Sequence, residues 1–175
     1  MGLDYSEESA VTPATENEID GSSYRIGVAV SRFNHKITSA LYRSAIKELT
    51  ACGVNEDSIF TIHTPGAFEL PLAAKSLFEN SAVDAVIIIG CVIRGETPHF
   101  DYICQACSMG AQNVSLEKNR PVIFGVLTTE NLQQALDRAG GGDNNDRGDK
   151  GREAATAALQ MLAALNEKNQ ATIVS

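Results

Sequence analysis

The stretch DAVIIIGCVIRGETPH, residues 84–99, decides the fold of this 175-residue chain. Its first part, DAVIIIGCVI, is an uninterrupted apolar run, which is typical of a strand buried on both faces of a parallel sheet. The loop RGETP then leads into a helix that is predicted from about His99 to Lys118. Because a buried strand followed by a helix is half of a βαβ unit, the segment predicts an α/β protein.

Similar signals stand on both sides of this segment. Runs of β-branched residues predict strands, and apolar residues at helical spacing predict helices. The predicted strands cover residues 24–31, 58–63, 84–93 and 121–128, and the predicted helices cover residues 37–53, 68–80, 99–118, 130–140 and 151–166. Alternation of this kind predicts right-handed crossovers and a four-stranded parallel sheet with helices on both faces. We therefore expect a single-domain, three-layer α/β/α sandwich.

Charge and composition limit the partners of the chain. The formal net charge of −8 disfavours nucleic acid and anionic membranes as main partners. No apolar run approaches the roughly 18 residues that cross a bilayer. The first twenty residues hold six acidic side chains and no Lys or Arg, unlike a secretory signal. We expect a cytoplasmic protein with four reduced cysteines, an acidic tail over residues 1–23 and one domain over residues 24–175.

The loops after the four predicted strands would meet at one edge of the sheet, because parallel strands all end on the same side. These loops are SRFNH, HTPGAFE, GCVIRGETPH and LTTEN, at residues 31–35, 63–69, 90–99 and 127–131. All three histidines of the chain, His35, His63 and His99, fall in them. Since open parallel sheets bind ligands at this edge, the sequence predicts one small-molecule site there.

Several side chains in these loops suit a heteroaromatic ligand. Phe33 offers a flat face for stacking and Asn34 offers donors and acceptors, although the two also fit an ordinary loop. Gly66 and Ala67 would let a ligand approach the backbone at a helix start. Histidine titrates near pH 6.5, so His99 could both take and give a proton. A surface or capping histidine is the alternative at that position.

Motifs for other kinds of site are missing or incomplete. The chain has neither GxGxxG nor GxxxxGK[ST], which disfavours a nucleotide cofactor held by those loops, and it has no GxSxG elbow. Cys104 and Cys107 form CQAC within a later helix, and one such pair is only half of a zinc site. We expect these two cysteines to be small core residues rather than metal ligands.

Five segments, in this order, together resemble the lumazine synthase family. They are SRFN, TPGAFELP, GCVIRGETPHFDYIC, FGVLTTEN and DRAG with a later KG pair, spread between Tyr24 and Asn166. The resemblance implies a flavodoxin-like fold and a cofactor-free transferase that condenses 5-amino-6-(D-ribitylamino)uracil with 3,4-dihydroxy-2-butanone 4-phosphate. The products would be 6,7-dimethyl-8-ribityllumazine, phosphate and water, in the penultimate step of riboflavin biosynthesis.

The resemblance also implies roles for individual residues. His99 would be the catalytic proton donor and acceptor, and Phe33 would stack on the pyrimidine. Residues 67–69 would contact the uracil substrate, residues 91–93 would line its ring, and residues 96–97 would hold the butanone phosphate. Phe124 and the phosphate-binding Arg138 would come from a neighbouring subunit. With Asn34, the predicted substrate-binding residues are Phe33, Ala67, Phe68, Glu69, Cys91, Val92, Ile93, Glu96, Thr97, Phe124, Arg138 and Lys150.

The resemblance finally implies a homo-oligomer with active sites between neighbouring subunits. The loop between Arg138 and Lys150 is longer than in many relatives, which in the family accompanies free pentamers rather than sixty-subunit shells, so we expect a homopentamer. In the tail, Pro13 and the charges disfavour strand pairing of the first fifteen residues. Two rivals remain open: a flavin- or nucleotide-binding module without turnover, and a structural assembly protein in which His99 has no role.

Overall fold

A computed structural model describes residues 19–140 and 148–173 of the chain, with side chains described as far as residue 166. The expectation about strand pairing in the first fifteen residues lies outside these ranges, as does most of the long loop, residues 141–147. The predicted division between tail and domain at residue 24 therefore stays a prediction.

Four strands of the described residues form one parallel sheet. They are β1 (Ile26–Ser31), β2 (Ile59–Thr64), β3 (Ala85–Ile93) and β4 (Val122–Thr129), in the order β2-β1-β3-β4. The two central strands are the most apolar: β1 is buried along its whole length and β3 over its first seven residues. The chain runs outward from β1 to β2 and then returns to the other side of β1, so the direction of winding reverses between β1 and β3. Such a switch point opens a crevice at the carboxyl ends of the strands.

Helices cover both faces of the sheet, as predicted. They are α1 (His35–Ala51), α2 (Leu70–Asn80), α3 (His99–Lys118), α4 (Leu132–Arg138) and α5 (Lys150–Ile173), with a short 3-10 turn at Glu56–Ser58. The helices α1, α4 and α5 bury their apolar stripes against one face, and α2 and α3 bury theirs against the other. The predicted α/β/α sandwich of flavodoxin-like type is thus confirmed.

Several element ends differ from the prediction by one or two residues, for local reasons. The parallel ladder of β1 and β2 continues through the pairs Val30–His63 and Ser31–Thr64. His63 therefore lies within β2, while His35 and His99 begin helices, so the expectation that all three histidines lie in loops is wrong. The helix α2 begins at Leu70 rather than Phe68. The largest difference is at the end of α5, which extends seven residues beyond Asn166 to Ile173.

The CQAC pair lies on α3, within the layer that packs against α2. Cys107 is fully buried and Cys104 is half-buried, so only the first is a true core residue. None of the four cysteines, all of which lie within the described ranges, forms a disulfide. Residues 19–140 and 148–173 contain no group of three or more potential metal ligands and no helix that is long and apolar enough to span a membrane.

Candidate active site

A cavity of about 590 Å³ opens at the carboxyl ends of β1, β2 and β3, beside the switch point. Nine of the predicted site residues line it: Phe33, Ala67, Phe68, Glu69, Cys91, Val92, Ile93, Thr97 and His99. We call it the larger cavity. Gly66, which was expected to let a ligand approach the backbone, also lines it. The remaining lining residues had no predicted binding role: Pro65, Gly95, Phe100 and Ile103. Ile103 follows His99 by four positions, so the helical spacing of α3 was the signal that could have identified it.

The loop after β1 is fixed to both neighbouring strands. Asn34 adopts a left-handed conformation with φ of 56°, which asparagine tolerates better than most residues. Its side-chain Nδ2 donates to the Cys91 carbonyl oxygen at 2.9 Å and so bridges the ends of β1 and β3. The Phe33 N–H donates to the Pro65 carbonyl at 3.1 Å. These bonds hold the Phe33 side chain, 69% exposed, at the rim of the larger cavity, whereas Asn34 does not line it.

The loop after β2 forms a compact start for α2. The Thr64 hydroxyl donates to the Gly66 carbonyl at 2.9 Å, and the Gly66 N–H donates to Oε2 of Glu69, also at 2.9 Å. A side chain at position 66 would approach that carboxylate oxygen to 3.3 Å. The loop therefore presents its backbone, the small buried Ala67 and the exposed ring of Phe68 to the larger cavity.

The loop after β3 carries the candidate proton carrier. Pro98 precedes α3 and His99 is the first residue of the helix, as predicted. The side chains of Glu96, Thr97 and His99 are all exposed, and Glu96 lies between two lining residues without lining the larger cavity itself. Nothing lies within 4 Å of the position that a side chain on Gly95 would take, so this loop borders open space.

Burial keeps the thiol of Cys91, which lines the larger cavity, neutral. Cys91 is 2% exposed, and desolvation raises the pKa of its thiol to about 11. The ionisable side chains among the lining residues are therefore a carboxylate, an imidazole and a thiol that stays protonated at neutral pH. None of the lining residues within the described ranges is a Lys or an Arg.

The other predicted site residues lie in a second cavity of about 400 Å³, which we call the smaller cavity. It follows the edge strand β4 and the first turns of α5, and its lining includes Phe124, Arg138 and Lys150. An antiparallel bridge between Ala139 and Asp149 joins the two ends of the long loop. Arg138 and Lys150 flank this bridge, so they line the same cavity whatever path the loop takes between them.

Lys150 is held by the start of α5. Both the Gly151 and Arg152 N–H groups donate to Oδ1 of Asp149, at 3.0 and 3.1 Å. A Cβ atom on Gly151 would lie 2.2 Å from the Leu41 carbonyl oxygen, so the glycine of the KG pair lets α5 pack directly on α1. The ammonium of Lys150 pairs with Glu153 at 2.5 Å.

The smaller cavity thus has the Lys and Arg side chains that the described lining of the larger one lacks. Arg138 donates through Nη1 to the Gln134 carbonyl at 2.9 Å, within its own helix. With Lys150 and Glu153, the lining holds two cations and one carboxylate. An anion suits this cavity, while a flat ring that needs a proton carrier suits the larger one. Within one chain the two sets of predicted residues do not share a cavity.

Comparison with known proteins agrees with the sequence resemblance. Residues 23–166 match the family described as 6,7-dimethyl-8-ribityllumazine synthase. The protein of that name from Porphyromonas gingivalis is 52% identical over 141 residues, which are 81% of this chain and 85% of that one. The protein of that name from Cytophaga hutchinsonii is 50% identical over 147 residues, which are 83% of this chain and 90% of that one. The matched residues include both cavities.

Proposed function

This chain belongs to the 6,7-dimethyl-8-ribityllumazine synthase family, and we propose that it performs the family reaction where the larger cavity of one copy meets the smaller cavity of the next. The reaction condenses 5-amino-6-(D-ribitylamino)uracil with 3,4-dihydroxy-2-butanone 4-phosphate in riboflavin biosynthesis, and the enzyme is a transferase. The family match does not favour a flavin- or nucleotide-binding module without turnover.

The proposed place of the uracil substrate is the larger cavity. Phe33 offers an exposed ring at its rim for stacking on the pyrimidine. The backbone of residues 91–93, at the end of β3, would face the ring edge, and residues 67–69 would face the ribityl chain. This assignment is supported by the apolar character of the lining and by the peptide groups at the ends of the strands.

The proposed place of the phosphate is beside Arg138 and Lys150. A phosphate ester carries close to two negative charges at neutral pH, and an arginine fork binds it through two parallel hydrogen bonds. No such cation lines the larger cavity in the described part of the chain, so a second copy has to bring one. Phe124, 42% exposed on the same strand edge, would then close over the ring, and Glu96 and Thr97 would face the butanone phosphate.

The proposed chemistry of the site is proton transfer between two reactants held together. The substrate amine condenses with the ketone and releases water, phosphate is then eliminated, and attack of the ribitylamino nitrogen on the remaining carbonyl closes the ring and releases a second water. Each of these steps moves a proton, which His99 can accept or donate at the rim of the larger cavity. Holding two substrates in contact can supply several kcal/mol of the rate enhancement.

We further propose a homopentamer in the cytoplasm. Five copies arranged in a ring would let each larger cavity meet one neighbouring smaller cavity, as closed cyclic symmetry requires. Four cysteines that form no disulfide suit a reducing compartment. Light scattering should give about five times the chain mass of 18.7 kDa, and a megadalton particle would contradict the pentamer.

The observation that carries this proposal is the separation of His99 from Arg138 into two cavities of complementary character. The test is to mix the two substrates with the protein and to follow lumazine absorbance and released phosphate together. Equal rates of the two signals are expected. Phosphate release without lumazine, or an undiminished rate in the His99→Ala variant, would contradict the proposed site, and the second result would favour a structural assembly protein.

A further inference from the structure

Arg94 joins three segments at the mouth of the larger cavity. It directly follows β3, and its backbone N–H donates to the Thr129 carbonyl at the end of β4, at 2.9 Å. Its guanidinium forms a fork with Asp101 in the first turn of α3, where Nη1 and Nη2 donate to the two carboxylate oxygens at 3.2 and 3.0 Å. Its Nε donates to Glu130, just after β4, at 2.9 Å.

The same guanidinium also lies over an aromatic wall of the larger cavity. Its central carbon is 4.1 Å from the centre of the Phe100 ring, a distance that suits cation–π contact. Phe100 lines the larger cavity and stands between His99 and Asp101 in the first turn of α3. A side chain that holds both Asp101 and Phe100 therefore also fixes the direction of the turn that presents His99.

Little else in the described residues fixes this turn. Residues 94–99 are all exposed, and no side chain caps the start of α3. Gly95 permits wide backbone motion and borders open space. The connection from β3 to α3 would move readily without the Arg94 fork, and a displacement of about 1 Å in a reacting group can cost about a hundredfold in rate.

We propose that Arg94 is a positioning residue for the condensation. It holds the first turn of α3 in place, and with it the side chains of His99 and Phe100 at the larger cavity. The proposal rests on the site assigned under the proposed function. Arg94 is not assigned contact with either substrate, because three of its N–H groups already donate to carboxylates and its planar face lies on Phe100.

The chemistry of the guanidinium explains why arginine is needed. Arginine is planar and can satisfy two carboxylates and an aromatic face at once, whereas lysine is a single point charge. Arg94→Lys should keep one ion pair and lose the fork. We expect it to recover part of the turnover that Arg94→Gln loses.

A positioning role and a purely structural role predict different measurements. Exposed ion pairs contribute little to the free energy of unfolding, and the Arg94 side chain is 37% exposed. Arg94→Gln should therefore lower kcat by about tenfold to a hundredfold, while the thermal midpoint of the assembled protein moves by no more than about 2 °C. A structural role would lower the midpoint and leave the turnover of the folded protein unchanged.

Lys118 offers a matched control on the same helix. It also binds two carboxylates, Glu79 at 2.7 Å and Glu117 at 3.4 Å, and it ends α3 about 28 Å from His99 at 1.5 Å per residue. Lys118→Gln should leave kcat and both KM values unchanged. The two arms of Arg94 can be separated as well: Asp101→Asn should reduce kcat more than Glu130→Gln, because only Asp101 lies in the turn with His99.

The experiment measures kcat, both KM values and the thermal midpoint of the full-length assembled protein for these variants and for His99→Ala. Loss of kcat in Arg94→Gln and Asp101→Asn, with Lys118→Gln unchanged, supports the proposal. If His99→Ala loses turnover while Arg94→Gln matches Lys118→Gln, the positioning role alone is overturned. If His99→Ala keeps full turnover, the proposed site fails and the role of Arg94 fails with it. Should Arg94→Gln not assemble, the Asp101→Asn and Glu130→Gln pair decides in the same way.

Discussion

The larger and the smaller cavity are built from different parts of the same sheet and carry different chemistry. The larger lies at the ends of three strands and offers an aromatic face and an imidazole, with no Lys or Arg among its described lining residues. The smaller lies along the edge strand β4 and offers Arg138 and Lys150 but no histidine. A substrate pair made of a flat ring and a phosphate ester needs both sets of groups. Under the proposed function, each chain therefore carries both halves of a site in separate cavities, and two copies are needed to join them.

The topology of the sheet explains this separation. The crevice at the switch point lies between β1 and β3, so loops after these strands and β2 converge there. Arg138 ends α4, which follows the edge strand β4, and Lys150 begins α5 against the same strand. Substitutions in the two cavities should therefore affect the two substrates differently.

The largest loss should come from Arg138→Ala. Charged hydrogen bonds contribute about 1.5–3 kcal/mol each, so removal of a two-bond fork should lower kcat/KM for the butanone phosphate by about a hundredfold to ten-thousandfold. Steady-state kinetics with each substrate varied in turn is the measurement. The KM for the uracil substrate should change little. An equal increase in both KM values would show that the smaller cavity does not hold the phosphate.

The most direct test of shared sites is to mix two inactive variants. Arg138→Ala leaves the larger cavity intact, and His99→Ala leaves the smaller one intact. If the two proteins are unfolded and refolded together, roughly a quarter of the interfaces should pair two intact halves, because each half is drawn independently in a cyclic assembly. Activity near that fraction of the wild type is expected. Mixed assemblies no more active than the better single variant would place both residues in sites formed within one chain.

A smaller loss is expected for His99→Ala. Proton transfer by a positioned side chain contributes less than the alignment of the two reactants, so kcat should fall by about tenfold to a thousandfold. His35→Ala is the matched control, because His35 is also an exposed histidine that begins a helix after a strand, and it does not line the larger cavity. Equal losses in the two variants would remove the special role of His99.

The fold was predictable because its signals are local and repeated. The apolar run of β3 indicated a strand buried on both faces, and the spacing of Leu41, Ala45 and Leu49 indicated the buried stripe of α1. Parallel pairing then followed from the alternation of strands and helices. The ends of elements were less accurate because they depend on single backbone conformations, such as the left-handed Asn34 that starts α1 two residues early.

The candidate site was only partly predictable for a related reason. Residues at strand ends, such as Phe33 and His99, can be placed by topology alone. The sequence does not show which groups a polar side chain at the surface will hydrogen-bond. Asn34 binds the Cys91 carbonyl instead of lining the larger cavity, and Arg94 received no role although it contacts three segments. Both facts depend on distances between residues that lie far apart in the chain.

The smallest expected effect concerns the thiol of Cys91 at the base of the larger cavity. Because burial raises its pKa to about 11, the thiol is neutral between pH 6 and pH 9, and Cys91→Ala should leave the shape of the activity profile in that range unchanged. Above pH 9 the raised pKa of the Cys91 thiol should make the folded protein less stable as the pH rises. The unfolded chain loses the proton near the ordinary value of 9.0 while the folded chain keeps it until about 11, so the free energy of unfolding falls as the pH rises through this window.

Removal of the thiol should flatten that alkaline decline. Denaturant unfolding of the wild type and Cys91→Ala at pH 8, 9 and 10 measures it, and the gap between the two proteins should narrow toward pH 10. A parallel decline would mean that the thiol is accessible to water, and the larger cavity would then be wetter at its base than the buried end of β3 indicates. A change in the activity profile below pH 9 would mean that a second group besides the imidazole exchanges protons in this cavity. Proton transfer could then not be assigned to His99 alone.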